Sequence, residues 1–167
     1  MPEISERIAG FVVASGPDLI LVHRLDWNTF ALDGYCAIRR QDIHRCLTLN
    51  RSGSWQAKAL RAKGIAPSPL PEVSVESLAD LLVTSGAGFP LVCVQTELRD
   101  EEVCYIGRVK ELCAKTLTLS LLNFRARWTG VRCFRFSDVT RVDFDSGYER
   151  ALARSAGKGP RIPKYQA

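Results

Sequence analysis

Residues 8–26 read IAGFVVASGPDLILVHRLD and residues 29–46 read TFALDGYCAIRRQDIHRC; farther on, residues 105–123 read YIGRVKELCAKTLTLSLLN and residues 124–144 read FRARWTGVRCFRFSDVTRVDF. Both stretches carry Gly-x-Val, a short turn, Leu-x-Leu, a variable loop and then Asp-(Ile/Val)-x-Arg. Gly10 and Val12 fall on Gly107 and Val109, Leu19 and Leu21 fall on Leu117 and Leu119 with one residue of slip, and Asp42, Ile43 and Arg45 fall on Asp138, Val139 and Arg141. Agreement at both ends of two well-separated segments points to an internal duplication, which has to be recognised before any fold is assigned.

Each copy has the period of strands. Leu117, Leu119 and Leu121 alternate with Thr116, Thr118 and Ser120, so one face is apolar and the other polar. Val103, Tyr105, Gly107 and Val109 alternate in the same way, Phe134 and Phe136 flank Arg135, and Val142 and Phe144 flank Asp143. A further strand is expected over Leu91 to Glu97, joined to the second copy by the charged turn LRDEE. LILVHRL in the first copy is apolar on both faces, which requires cover on both sides. Gly10 and Gly107 lie inside strands, where glycine marks a bulge or a sharp bend.

The expected fold is therefore mainly β: two tandem small five-stranded antiparallel barrels with short connecting helices. Residues 1–50 form the first barrel, 51–88 a helical and proline-rich connector, 89–147 the second barrel, and 148–167 a basic, partly flexible tail. Within the connector, Ser54 to Lys63 reads as a helix ending at Gly64. APSPLPE (66–72) reads as a linker, and Ser74 to Val83 as a second helix that starts at Ser74.

Composition narrows the function classes. With 46% hydrophobic and 25% charged residues the chain can bury a core, and its longest apolar runs are far short of the roughly 20 residues that cross a bilayer. The N-terminus lacks the basic segment and apolar core of a secretory signal, so a cytoplasmic location is expected and no membrane partner. Six cysteines without CxxC or Cys/His spacing read as reduced thiols, and neither disulfides nor a metal site is expected. The net charge of +5 is concentrated in the connector (Arg51, Lys58, Arg61, Lys63) and the tail (Arg150, Arg154, Lys158, Arg161, Lys164), leaving both repeats near neutral.

The segment Asp138-Val-Thr-Arg-Val-Asp-Phe-Asp-Ser-Gly-Tyr148, followed by Leu152, resembles the C-terminal signature of a group of small bacterial proteins, in which D-I-x-R-I-D-F precedes Y-x-x-x-L. The resemblance is clearest from Tyr105 to Leu152. It implies a barrel of Sm-like or SH3-like type and brings no activity with it. The RNA-pocket pattern of Sm proteins is not recognisable: Gly107 is followed by RVKELCAKTLTL without Asp or Asn, and the Asp-Val-Thr-Arg segment continues with Val142 instead of glycine.

Candidate sites are few. Arg125, Arg127, Trp128, Arg132 and Arg135, with Phe124, mix cations and aromatics in one loop and its following strand, a combination that can hold phosphates and stack bases. The plainer reading, a solvated loop whose aromatics cap the core, is preferred. Asp42, His44 and Cys46 share one face if their strand is regular, but the second copy replaces His44 by Thr140 and Cys46 by Val142, which argues against a nucleophilic site. His23 reads as a core or rim residue. The repeated Asp/Arg pairs read as architecture. No phosphate-binding glycine loop, G-x-S-x-G or H-E-x-x-H occurs. The expected function is thus a non-catalytic module binding a protein partner or a second copy of itself, with RNA or single-stranded nucleic-acid binding as the first alternative and a cysteine-based enzyme around His44 and Cys46 as the least favoured one. No catalytic residue, cofactor or small-molecule substrate is expected.

Overall fold

A computed structural model describes residues 6–49, 53–68 and 72–160; Arg51 of the connector, part of the proline-rich linker, and Arg161 and Lys164 of the tail lie outside the described residues. The chain is mainly β, as its periodicity implies. Eight strands are joined in chain order as β1 (Gly10–Ser15), β2 (Leu19–Asp26), β3 (Ala31–Arg39), β4 (Val92–Gln95), β5 (Cys104–Leu112), β6 (Thr116–Leu122), β7 (Trp128–Arg135) and β8 (Arg141–Phe144). Among the described residues three helices accompany them: α1 (Trp55–Ala62), α2 (Leu78–Gly88) and α3 (Gly147–Ala156).

In place of two separate five-stranded barrels, the strands form one open antiparallel sheet in the order β1-β2-β3-β8-β4-β5-β6-β7. The joint is β8. After β7 the chain makes a 3-10 turn, Phe136–Asp138, and β8 then inserts between β3 and β4. Its pairs Ala37↔Val142 and Tyr35↔Phe144 on one side, and Val94↔Val142 and Val92↔Phe144 on the other, fuse the two repeats into one core. The first repeat has its own 3-10 turn, Arg40–Asp42, but residues 43–48 beyond it form no strand. That is why it contributes three strands.

The two segments that read as repeats share several backbone features. Gly10 sits opposite Arg24 and Gly107 opposite Leu121, and a Cβ at either glycine would run into a carbonyl oxygen of the neighbouring strand, that of His23 or of Ser120. A bulge follows each glycine at the same step, between Val12 and Ala14 and between Val109 and Glu111. The hairpin turns close with Gly16 N–H on the Leu19 carbonyl and Cys113 N–H on the Thr116 carbonyl, both at 2.9 Å. Each 3-10 turn is tied back to its hairpin, Arg40 N–H to Asp18 at 2.8 Å and Phe136 N–H to Lys115 at 2.9 Å.

This register corrects the sequence alignment: Leu19 matches Thr116 and Ile20 matches Leu117, with no slip. The leucines that look alike in sequence are one step apart in backbone, because the two repeats turn opposite faces to the shared core. Val109 is 1% exposed whereas its equivalent Val12 is 63% exposed.

The main core gathers Leu19, Leu21, Tyr35 and Ala37 with Val92, Val94, Leu117, Leu119, Val142 and Phe144, covered by Leu81 and Leu82 of α2. β2 is buried on both faces, as its apolar run requires: Leu21 and His23 point to this core, and Val22 to the other side. A second cluster, Leu91, Leu122 and Leu152 with Ile106 and Trp128, seats α3 on the opposite face of the sheet.

Cap chemistry fixes the helix ends. Ser54 accepts Ala57 N–H at the start of α1, and Gly64 follows it at φ +65, a conformation that glycine adopts without strain. The α2 cap is Ser77, which accepts Asp80 N–H, and not Ser74; Ser74 N–H instead donates to Thr84 Oγ1 at 3.0 Å. The stretch read as a flexible tail opens with α3, which starts in a full capping box of Ser146 and Glu149.

Candidate functional site

The cation and aromatic residues singled out in the sequence do not form one surface. Asn123 builds their loop: its carboxamide oxygen accepts the N–H groups of Arg125 at 2.9 Å and Arg127 at 3.1 Å, while Ala126 takes a left-handed φ of +56. The loop presents Phe124, which is 79% exposed, with the Arg125 guanidinium 5.4 Å from its ring centroid, and Arg127 is exposed beside them. Trp128 turns away into the cluster under α3. Arg108 lies 5.4 Å from its ring centroid and donates to the Pro160 carbonyl at 2.7 Å, and Gly159 is packed so closely on the indole that a Cβ would collide with it. Arg132 stands opposite Leu119 and therefore on the other face of the sheet, 4.3 Å from the Tyr105 ring centroid and 5.5 Å from that of Phe134. Arg135 is exposed at the end of β7.

The remaining sequence candidates also resolve. Asp42 lies in the 3-10 turn and accepts Arg39 Nε at 2.6 Å, while His44 and Cys46 follow in the exposed irregular segment, so the three share no strand face. His23 is buried, stacked on Tyr35 at 4.4 Å, and its Nδ1 accepts Ser68 N–H at 3.4 Å. Burial holds its pKa below the ordinary histidine value, with Asp145 pulling weakly the other way. Of the basic connector and tail, Lys63 leans over Phe30 and Arg150 is held by Asp145 at 3.1 Å and Asp33 at 3.8 Å. Trp27 meets Phe30 edge-on beside Trp55. Among the described residues no helix is long and apolar enough to cross a membrane, and no group of three or more His, Cys, Asp or Glu side chains is placed to hold a metal ion.

Three features escaped the sequence reading. The first is a buried ionic knot on β8. Arg141, 5% exposed, meets Glu6 at 2.6 Å, Asp143 at 3.2 Å and Glu97 at 3.4 Å, and Gln95 Nε2 donates to Asp143 at 2.9 Å. The second is a thiol pair. Cys104, exposed on β5, neighbours buried Cys93 on β4, and the interaction between the two thiols pulls that of Cys104 below the ordinary thiol value and pushes that of Cys93 up. A thiol pair on neighbouring strands is visible only once the strand register is known.

The third is the edge of the sheet. Among the described residues β7 pairs with β6 along one side only, and Thr129, Gly130, Val131, Arg132 and Cys133 are all exposed. Alternation within residues 128–135 identifies a strand but not whether a neighbour covers it. The answer depends on where β8 goes.

No family model matches the chain, and no curated protein or solved structure matches it either.

Proposed function

We propose that the chain is a non-catalytic interaction module that binds an extended segment of a protein partner along the open edge of β7. The observation that carries this reading is the run from Thr129 to Cys133, exposed and paired on one side only. An unpaired strand edge offers a row of N–H and C=O groups, and strand addition draws its affinity from that row. Edges that must stay single are blunted by protruding charge. Arg132 instead lies against Tyr105, which leaves the backbone row accessible. In fold terms, the order β8-β4-β5-β6-β7 supports a five-stranded Sm-like or SH3-like unit, with β1 to β3 and their 3-10 turn as a shortened second copy.

The competing reading is single-stranded RNA, favoured by the exposed Phe124/Arg125 pair. Hydrogen exchange of residues 129–135 separates the two. The probes are a synthetic octapeptide of alternating valine and threonine with lysine ends, and a short single-stranded RNA. Protection of β7 by the peptide supports strand addition. Protection by RNA alone, lost at moderate salt and in Arg127→Glu, replaces it with nucleic-acid binding.

A further inference from the structure

We infer that the natural occupant of the β7 edge is residues 43–48 of a second copy of this chain, laid antiparallel with Cys46 opposite Cys133. The inference rests on the strand-addition reading and names its partner.

The duplication supplies the argument. The chain contains one repeat-to-repeat junction, where β3 of the first repeat accepts β8 of the second through Tyr35↔Phe144, Cys36↔Asp143, Ala37↔Val142 and Ile38↔Arg141. β3 is the last strand before the 3-10 turn of its repeat, and β7 holds that position in the second repeat. β8 is the segment just after a 3-10 turn, and residues 43–48 hold that position in the first repeat. The acceptor half of a second junction is thus present on β7 and the donor half on residues 43–48, and within one chain neither half engages the other.

Aligning the two 3-10 turns carries the junction across residue by residue. Tyr35, Cys36, Ala37 and Ile38 become Val131, Arg132, Cys133 and Phe134. Phe144, Asp143, Val142 and Arg141 become Thr48, Leu47, Cys46 and Arg45. The expected pairs are therefore Val131↔Thr48, Arg132↔Leu47, Cys133↔Cys46 and Phe134↔Arg45.

Independent details fit this register. Leu47 is 69% exposed and Val131 is 56% exposed, two apolar side chains that an isolated chain leaves in water at both halves of the junction. Arg39 marks the existing junction by donating from its guanidinium to the Ser137 carbonyl at 2.9 Å, across from one repeat to the other. Its equivalent is Arg135, exposed at the end of β7 and placed to reach Gln41, the counterpart of Ser137, on the second copy. Cys46 and Cys133 are both exposed free thiols and become direct cross-strand neighbours.

Because the two halves lie on different parts of the chain, the contact is head-to-tail and yields either a closed ring or a filament. The test uses the full chain with its other exposed thiols, Cys104 and Cys113, changed to serine. Diamide takes two electrons and two protons from each thiol pair it joins. Between copies it is expected to join Cys46 to Cys133, giving a ladder of multimers in non-reducing gels. Adding Cys46→Ser or Cys133→Ser removes the ladder, and mixing these two variants restores a disulfide-linked dimer and nothing larger. Light scattering is expected to show an assembly that Leu47→Pro, a change outside every strand, reduces to monomers without lowering the melting temperature.

A monomer at high concentration with no Cys46–Cys133 product overturns the inference. If the valine–threonine octapeptide still protects β7 in that case, the strand-addition reading survives with a different partner. If it does not, both fall. Cross-linking through any other pair overturns the register.

Discussion

The Arg141 guanidinium meets the Asp143 carboxylate at 3.2 Å, two residues along the same short strand, where both residues are 5% exposed. Alternate residues on a strand point to one face, so the pair sits beneath Glu6 and Glu97 with Gln95 as a further donor to Asp143. Asp143 stands opposite Cys36 on β3 and Cys93 on β4, so the pair lies at the seam where β8 joins β3 to β4. Burying a charge is costly unless it is partnered, and this knot meets that cost with three carboxylates around one guanidinium.

Arg141→Met is expected to destabilise the chain by about 3 kcal/mol, the low end for breaking a buried ion pair, because it leaves the buried Asp143 carboxylate with only the Gln95 donor and the Arg24 guanidinium at 3.8 Å. Asp143→Leu in the same background is expected to restore most of that loss. Urea denaturation of the two variants checks it, and a single substitution as mild as a surface change, within about 0.5 kcal/mol, would show that the knot is hydrated.

The two strand glycines give a matched pair of tests. A Cβ at Gly107 or Gly10 meets a carbonyl oxygen of the adjacent strand, and backbone cannot swing aside as a flexible side chain can. Gly107→Ala and Gly10→Ala are each expected to cost about 1–3 kcal/mol by overpacking, whereas Gly88→Ala, with open space around it and no left-handed backbone, is not expected to suffer this clash. Equal losses at the first two positions in thermal melts support the duplication in a way that sequence similarity does not.

What the sequence disclosed and concealed follows from the range of the forces involved. Alternation at Leu117 and Leu119, the double-sided run at Leu19 to Val22, and the in-strand glycines are local signals, and all three are realised in the sheet. The destination of β8 was not legible. Arg141 to Phe144 can pair with any antiparallel neighbour, and the choice of β3 and β4 depends on contacts distant in the chain. Reading the second copy as self-closing followed from treating each repeat alone. The division of the cation and aromatic residues between two faces was hidden for a related reason: Trp128 and Arg132 are close in sequence, but the register shift between Leu121 and Leu122 helps send them to opposite faces.

Cys104 is expected to be the most reactive thiol in the chain. The neighbouring Cys93 thiol pulls that of Cys104 below the ordinary thiol range, which favours its thiolate, while burial and the nearby Asp143 keep Cys36 protonated. Iodoacetamide labelling followed by peptide mass spectrometry should modify Cys104 first, with a rate that rises and levels at a lower pH than for an ordinary thiol. Cys93→Ala removes the neighbouring thiol and should shift that rise toward the ordinary thiol range, about 8.5. Labelling of Cys113 or Cys133 ahead of Cys104 at pH 7 would contradict the pairing.

His23 makes stability depend on pH in a fixed direction. Its folded pKa is depressed by burial, and its Nδ1 must be unprotonated to accept Ser68 N–H. Between the folded pKa and the unfolded value near 6.5, the unfolded chain binds more protons, so stability rises with pH across that window. The contribution is fully present above about pH 7 and is lost progressively as the medium is acidified below the unfolded value. Melting temperatures measured from pH 7.5 down to pH 5 should therefore fall more steeply in the native chain than in His23→Phe. That variant keeps an aromatic ring against Tyr35 but has nothing to protonate. Parallel curves for the two proteins would show that the imidazole charges without disturbing the stack.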